Sequence, residues 1–185
     1  MRILLATLAV SVMASAPRPA AAGIRVVGNT LGQECYESTL LAPTPRRNTD
    51  ALAVCDRAVL DATVSAYNQA ANHVNRAEIR LRVSDYQGAL DDADTALKIH
   101  DGIGIAYLNR AASLVGLERF AEALPVFEHA LALGVDRPQL AYFDRGIAKE
   151  SLGDIKGAYL DYKKAADLDP GMTIARAQLT RFTVR

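Results

Sequence analysis

The strongest constraint on this chain is that it repeats itself every 34 to 35 residues. Ala77, Ala111 and Gly146 are followed, 12 residues later, by Ala89, Ala123 and Ala158. Seven residues beyond those stand Ala96, Ala130 and Ala165. An apolar residue precedes each middle alanine by three positions: Tyr86, Phe120 and Ile155. Another follows it by ten: Ile99, Leu133 and Leu168. Agreement at so many positions in three copies is not chance.

Helix packing supplies a physical reason for the pattern. Each copy holds two helical stretches, predicted at 64–82 with 86–99, 103–116 with 120–133, and 138–151 with 155–168. The connectors within the pairs are Val83–Asp85, Leu117–Arg119 and Leu152–Asp154. Loops this short force antiparallel neighbours. Small residues at the crossings let two backbones approach closely. One pair cannot bury its apolar face alone, so pairs stack and each covers the next. Aromatics make up only 6% of the chain and Trp is absent, so Ala, Leu, Val and Ile must build most of the interior. The expected class is all-α: an α-solenoid of about three helix-turn-helix units over 64–171.

The period and these residues closely resemble the tetratricopeptide repeat. That family's pattern is an aromatic, a small residue four later, an alanine with an aromatic four beyond it, and a Pro after the second helix. The third unit carries Tyr142, Gly146, Ala158, Tyr162 and Pro170. The second carries Tyr107, Ala111, Ala123 and Phe127 without the Pro. The first departs most, with His73 and Ala93 at the aromatic positions. The resemblance covers about 70–171. It implies a solenoid that works by binding protein.

Terminal units of a stack must differ from the repeats, since one face has no neighbour. Residues 172–185 read as a capping helix over Thr173–Phe182, with Ile174, Ala177 and Leu179 towards the stack and Arg176, Arg181 and Arg185 in solvent. Residues 23–63 read as an extension followed by a degenerate unit. Its helices are expected at Gln33–Leu41 and Asp50–Asp61, the second capped by Thr49 or Asp50, with Pro43 and Pro45 in the loop between. The extended stretch 23–30 carries Ile24, Val26 and Val27, which need cover.

Residues 1–22 have the pattern of a secretory signal peptide. Met1-Arg2 is followed by an apolar run from Ile3 to Met13, then by small residues through Ala20-Ala21-Ala22. Cleavage is expected after Ala22. The apolar run is too short to span a bilayer, which needs about 20 residues, and no Cys follows it closely to carry a lipid. The expected location is periplasmic or secreted, with no membrane attachment after cleavage. Cys35 and Cys55 are an even pair beyond the cleavage site, which in an oxidising compartment reads as one disulfide. Two buried free thiols are the alternative. The chain has 21 basic and 21 acidic residues, so nothing electrostatic points to nucleic acid or an anionic membrane.

No catalytic constellation, metal set or cofactor motif is legible. His73, His100 and His129 are too far apart for helical ligand spacing. Asp91, Asp92 and Asp94 read as a solvated helix face. Gly102-Ile103-Gly104 reads as a turn between units. One row does stand out: Asn75-Arg76-Ala77, Asn109-Arg110-Ala111 and Asp144-Arg145-Gly146 recur with the repeat. By helical phase Asn75, Asn109 and Asp144 face the inner wall, with Val74, Leu108 and Phe143 beside them. An amide offers donor and acceptor together, so it can hold a peptide group without reading its side chain. In some tetratricopeptide-repeat proteins an asparagine ladder here grips an extended peptide, and the resemblance implies the same use. The alternatives are that these residues cap neighbouring carbonyls or bind water, and that the apolar 23–30 segment of the chain itself occupies the groove. The arginines are expected to pair with acids on adjacent helices. The function expected is a non-catalytic interaction module of the cell envelope holding a peptide or partner helix. The alternatives are an assembly protein that self-associates through the ends of its stack and, third, an enzyme with an unrecognised site.

Overall fold

The computed structural model describes residues 3–5, 23–28, 30–41 and 44–184. Apart from 3–5, the segment read as an export signal lies outside the described residues, as does Arg185. The elements in chain order are β1 (Ile3–Leu5), α1 (Thr30–Leu40), α2 (Pro45–Val59), α3 (Ala66–Arg82), α4 (Tyr86–Ile99), α5 (Gly104–Gly116), α6 (Phe120–Leu133), α7 (Pro138–Ser151), α8 (Ile155–Leu168), α9 (Thr173–Leu179) and β2 (Phe182–Val184). The helix pairs α3–α4, α5–α6 and α7–α8 fall on the three expected units almost residue for residue. All nine framing positions from Ala77 to Ala165 do what their size demands. The eight alanines are fully buried. At Gly146 a Cβ would lie 2.8 Å from the Tyr162 ring, so the missing methyl is the space that ring occupies.

Within each unit the chain reverses through one residue in the left-handed region. These are Ser84 (φ 61), Glu118 (φ 60) and Gly153 (φ 84), again 34 and 35 residues apart. Only Gly adopts that conformation without steric cost. Asp85 and Asp154 then cap the second helices by accepting from the backbone N–H of Gly88 and Gly157 at 3.0 and 2.9 Å. A Cβ on either glycine would collide with its capping carboxylate.

Successive first helices pack on one another (α1 on α3, α3 on α5, α5 on α7), while second helices make no comparable contact. Tighter packing on one side curves the stack, which makes the first helices its inner wall. The degenerate unit is α1–α2, closed by the Cys35–Cys55 disulfide. Both sulfurs are buried in a small core with Ala51, Ala58 and Ile79. Closing a loop of this size removes roughly 3 kcal/mol of unfolded-state entropy on the chain-entropy account. Three polar ties then fasten this unit to α3. Asn72 donates to the Ala58 carbonyl at 2.9 Å, Arg76 pairs with Asp56 at 2.9 Å, and Arg82 donates to the end carbonyls of α1 at Ser38, Thr39 and Leu41.

The ends depart from expectation in five places. Helix α1 begins at Thr30, three residues before its expected start and at the end of the stretch read as extended. Helix α2 begins at Pro45, five residues early, because Thr44 caps it and Pro at the first helical position needs no N–H partner. The expected caps Thr49 and Asp50 are inside it. Val27 is exposed, although Val26 is covered. The C-terminal helix stops at Leu179, buries Ala175 rather than Ala177, and gives way to β2. Phe182 of β2 packs on Tyr159 and Tyr162. Arg181, expected in solvent, pairs with Glu150, which also accepts from the Tyr162 hydroxyl at 2.9 Å. β2 pairs antiparallel with β1, Ile3 opposite Val184.

Two outcomes test this frame. Ala158→Leu should overpack the α7–α8 crossing and cost about 1–3 kcal/mol in denaturant unfolding; unchanged stability contradicts the frame. Glu118→Gly should raise stability by about 0.5–1 kcal/mol, the left-handed penalty less the added freedom of the unfolded chain, read as a small rise in melting temperature.

Candidate peptide-binding groove

The inner wall begins with α3, whose first turns carry asparagines at 68, 72 and 75. Residues seven apart on a helix share a face and are separated by about 10.5 Å along its axis. Three residues of extended chain span about 10 Å. The extended segment 23–28 exploits this match and runs antiparallel along α3. The Asn75 amide donates to the Ile24 carbonyl at 2.8 Å and accepts from the Ile24 N–H at 2.6 Å. Three residues on, Asn68 donates to the Val27 carbonyl at 2.9 Å. The two-bond clasp on a single residue's backbone is what an amide at this position is suited to do.

On its other side the segment lies against α1. A Cβ on Gly32 would lie 2.6 Å from Val26, and one on Gly23 would lie 2.4 Å from the Thr39 hydroxyl. Arg25 lies over the Tyr36 ring at 5.9 Å. Ile24 packs against a core cluster of Ala70, Val74, Ala96, Ile103 and Ala106. Beside Gly23, Ile24 and Arg25 the wall opens into a cavity of about 420 Å³, reaching the turns at Gly102–Ile105 and Gly134–Arg137, with Tyr67, His100 and Leu108 also in its lining. The Gly102 turn is therefore part of the groove rim as well as a link between units.

The six residues expected to contact a peptide are placed more deeply than helical phase suggested. Val74, Asn75 and Asn109 are at most 1% exposed, and Leu108, Phe143 and Asp144 are below 10%. Asn75 holds a peptide backbone, that of the chain itself. Asn109 instead donates to the Val74 carbonyl at 3.1 Å, a tie between α5 and α3. Leu108 and Phe143 belong to the main core cluster. Asn68 was not singled out in the sequence, although its seven-residue spacing from Asn75 was there to be read.

The arginines of the row pair as expected. Arg76 forks Asp92 through two bonds of 2.8 and 2.6 Å, and Arg145 forks Asp161 through two of 2.8 Å. A second cation completes each site: Arg80 on Asp92 at 3.0 Å and Lys149 on Asp161 at 2.8 Å. Asp92 is 2% exposed, which corrects the reading of the Asp91–Asp94 stretch as a solvated face. His73 Nδ1 also lies 2.8 Å from it. The middle unit replaces the carboxylate and second cation by Val126 and Leu114, both in the core. Arg110, left without that acid, turns to Asp94 of the preceding unit at 2.7 Å. Burial works against ionisation of Asp92, but the hydrogen bonds from His73 and Arg76 and the charges of Arg76 and Arg80 outweigh it and hold its pKa below the usual carboxylate value. Among the described residues no group of three or more His, Cys, Asp or Glu is gathered as for a metal ion.

No protein-family model and no curated protein matches the chain. Solved structures do. The Arabidopsis OM64 TPR domain superposes with a TM-score of 0.59 at 23% identity, covering 63% of this chain and 96% of that one. The first TPR domain of human RPAP3 gives 0.56 at 24%, covering 62% and 89%. The chain has the tetratricopeptide-repeat fold. MamA 41-end from Desulfovibrio magneticus RS-1 extends the likeness, with a TM-score of 0.61 at 21% identity over 80% of this chain and 77% of that one. A further tetratricopeptide match, the first TPR of Spaghetti (RPAP3) at TM-score 0.56 and 24% identity, was solved bound to the HSP90 peptide SRMEEVD; it covers 64% of this chain and 93% of that one.

A carboxylate whose folded pKa is depressed stabilises the fold above its unfolded pKa and loses that contribution as pH falls through the folded value. Stability should therefore decline below about pH 4. Asp92→Asn should be destabilised at neutral pH, where it removes one partner from a buried ion pair at a cost of about 3–5 kcal/mol. Its stability should also change less between pH 5 and pH 2, read by urea unfolding.

Proposed function

We propose that this chain is a non-catalytic protein-interaction module of the cell envelope, which holds an extended peptide segment of a partner along the wall of first helices. The observation that carries this reading is the Asn75 clasp. It binds both polar groups of one residue's backbone inside the groove, with 23–28 as the bound strand. A cavity beside Gly23, Ile24 and Arg25 offers further room along the same wall. A structure of the same fold with a peptide bound is consistent with this use.

The envelope setting rests on the signal pattern of residues 1–22 and on the buried disulfide, which needs an oxidising compartment to form. No helix among the described residues is long and apolar enough to cross a membrane. Cleavage after Ala22 would remove β1 and leave Gly23 as the first residue, at the edge of the groove.

N-terminal sequencing of protein recovered from an envelope fraction should begin at Gly23. Pull-down from envelope extract with that mature form should retain a partner. Addition of Asp to the cavity wall, as Tyr67→Asp at an exposed lining position, should reduce capture at least tenfold in a protein that remains helical by circular dichroism. Capture unaffected by that change would move the contact surface to the convex side or the C-terminal cap.

A further inference from the structure

We infer that the slot between α1 and α3 recognises a particular kind of extended segment, with the pattern small–aliphatic–cationic–aliphatic, and that residues 23–26 are its resident copy, displaced when a partner binds. The inference rests on the reading of the wall as a peptide surface and adds the chemistry of the ligand and the competition for the site.

Each position of the resident is read by a different feature of the slot. At Gly23 a side chain would strike Thr39 and the Asn75 amide, with Cβ distances of 2.4 and 2.5 Å, so only a residue without Cβ fits unmoved. Ile24 inserts towards Val74, Ala96 and Ile103. Arg25 turns the other way, over the Tyr36 ring. Val26 is 1% exposed and closes on Gly32. Val27 is 73% exposed and unread, so the pattern ends there. The alternation of inward Ile24 and Val26 with outward Arg25 and Val27 is that of an extended strand. The Asn75 and Asn68 bonds go to backbone, so they are equally available to any strand lying in the same register.

Displacement follows from the cavity beside the slot. An intramolecular occupant competes at an effective concentration of roughly millimolar, so a partner with the same four residues alone would bind weakly. The cavity of about 420 Å³ adjoins the slot at Gly23, Ile24 and Arg25 and reaches Ile105, Leu108 and Val135. A partner that also places apolar side chains in that cavity gains contacts beyond those that residues 23–26 make in the slot. That partner can start there and then take over the Asn75 clasp.

The test uses a fluorescent peptide of sequence Gly-Ile-Arg-Val-Val-Gly and the full chain. Gly23→Val and Val26→Asp should each expel the resident, one by collision and one by desolvation, without altering the wall. The probe should bind both variants at least tenfold more tightly than the unsubstituted protein, because the competing occupant is gone. Adding Asn75→Ala to either variant should reverse at least tenfold of the gain, and exchanging Arg for Glu in the probe should weaken binding. Equal probe affinity for the unsubstituted protein and both variants, or no binding to any, overturns the inference. Should a variant fail to fold, hydrogen exchange decides on the unsubstituted protein. Excess probe should speed exchange of the Ile24 amide; an Ile24 amide unchanged at saturating probe overturns the inference. Capture of an envelope partner with no probe binding would sink the slot's specificity alone, whereas failure of both would sink the interaction reading with it.

Discussion

Close approach of paired helix backbones is the constraint from which the other features of this structure follow. Eight fully buried alanines and Gly146 hold the crossings, and at Gly146 even a Cβ would strike the Tyr162 ring. Because the pairs are so tight, the apolar residues that would fill a wider pair are free to cover the neighbouring unit. The stack therefore has a continuous core although each unit alone is thin. Curvature follows from the same packing, since first helices meet one another and second helices scarcely do. A curved stack has an inner wall, and an inner wall has room for a strand.

Charge is handled differently along the stack. The outer two repeats bury a carboxylate under two cations, and the middle repeat replaces it with Val126 and Leu114. Buried ion pairs and apolar substitutes of similar volume are often nearly equivalent in stability, while half of a pair is costly. The repeat can therefore exchange one solution for the other only by changing both positions, which is what the middle unit has done. Arg110 shows the consequence: its usual acid is absent, and it bridges to the previous unit instead. The ion pairs thus vary in partner while the backbone geometry stays constant.

The asparagines use one chemical property in three ways. Asn72 secures the end of α2, Asn109 secures α5 to α3, and Asn75 secures a strand. In each case a side-chain amide donates to a backbone carbonyl of another element. Asn75 differs because what it holds is not a helix. Residues 23–28 lie in a groove whose fittings act on backbone at two points and on side chains at three.

Local signals determined the repeat, its phase, all six helices of the three units and the positions that must be small, because a 34-residue period is written in side-chain size and helix periodicity. They determined the row of Asn75, Asn109 and Asp144 and the pairing of arginines with acids. The pairing of Cys35 with Cys55 was a reading that the fold made concrete by packing α1 against α2. Three things waited for the tertiary structure. Asp92 reads as one of three acids on a polar stretch, and only the approach of α3 with His73, Arg76 and Arg80 makes it buried and paired. The start of α2 at Pro45 was hidden because the same residue serves loops and first helical turns equally well. The roles of Asn75 and Asn109 were also undecidable locally: both sit at the same phase of equivalent helices. What separates them is what lies opposite, an extended strand 51 residues away for one and the carbonyl of Val74 for the other. Helical phase sets the direction in which a side chain points; long-range packing decides what it meets there.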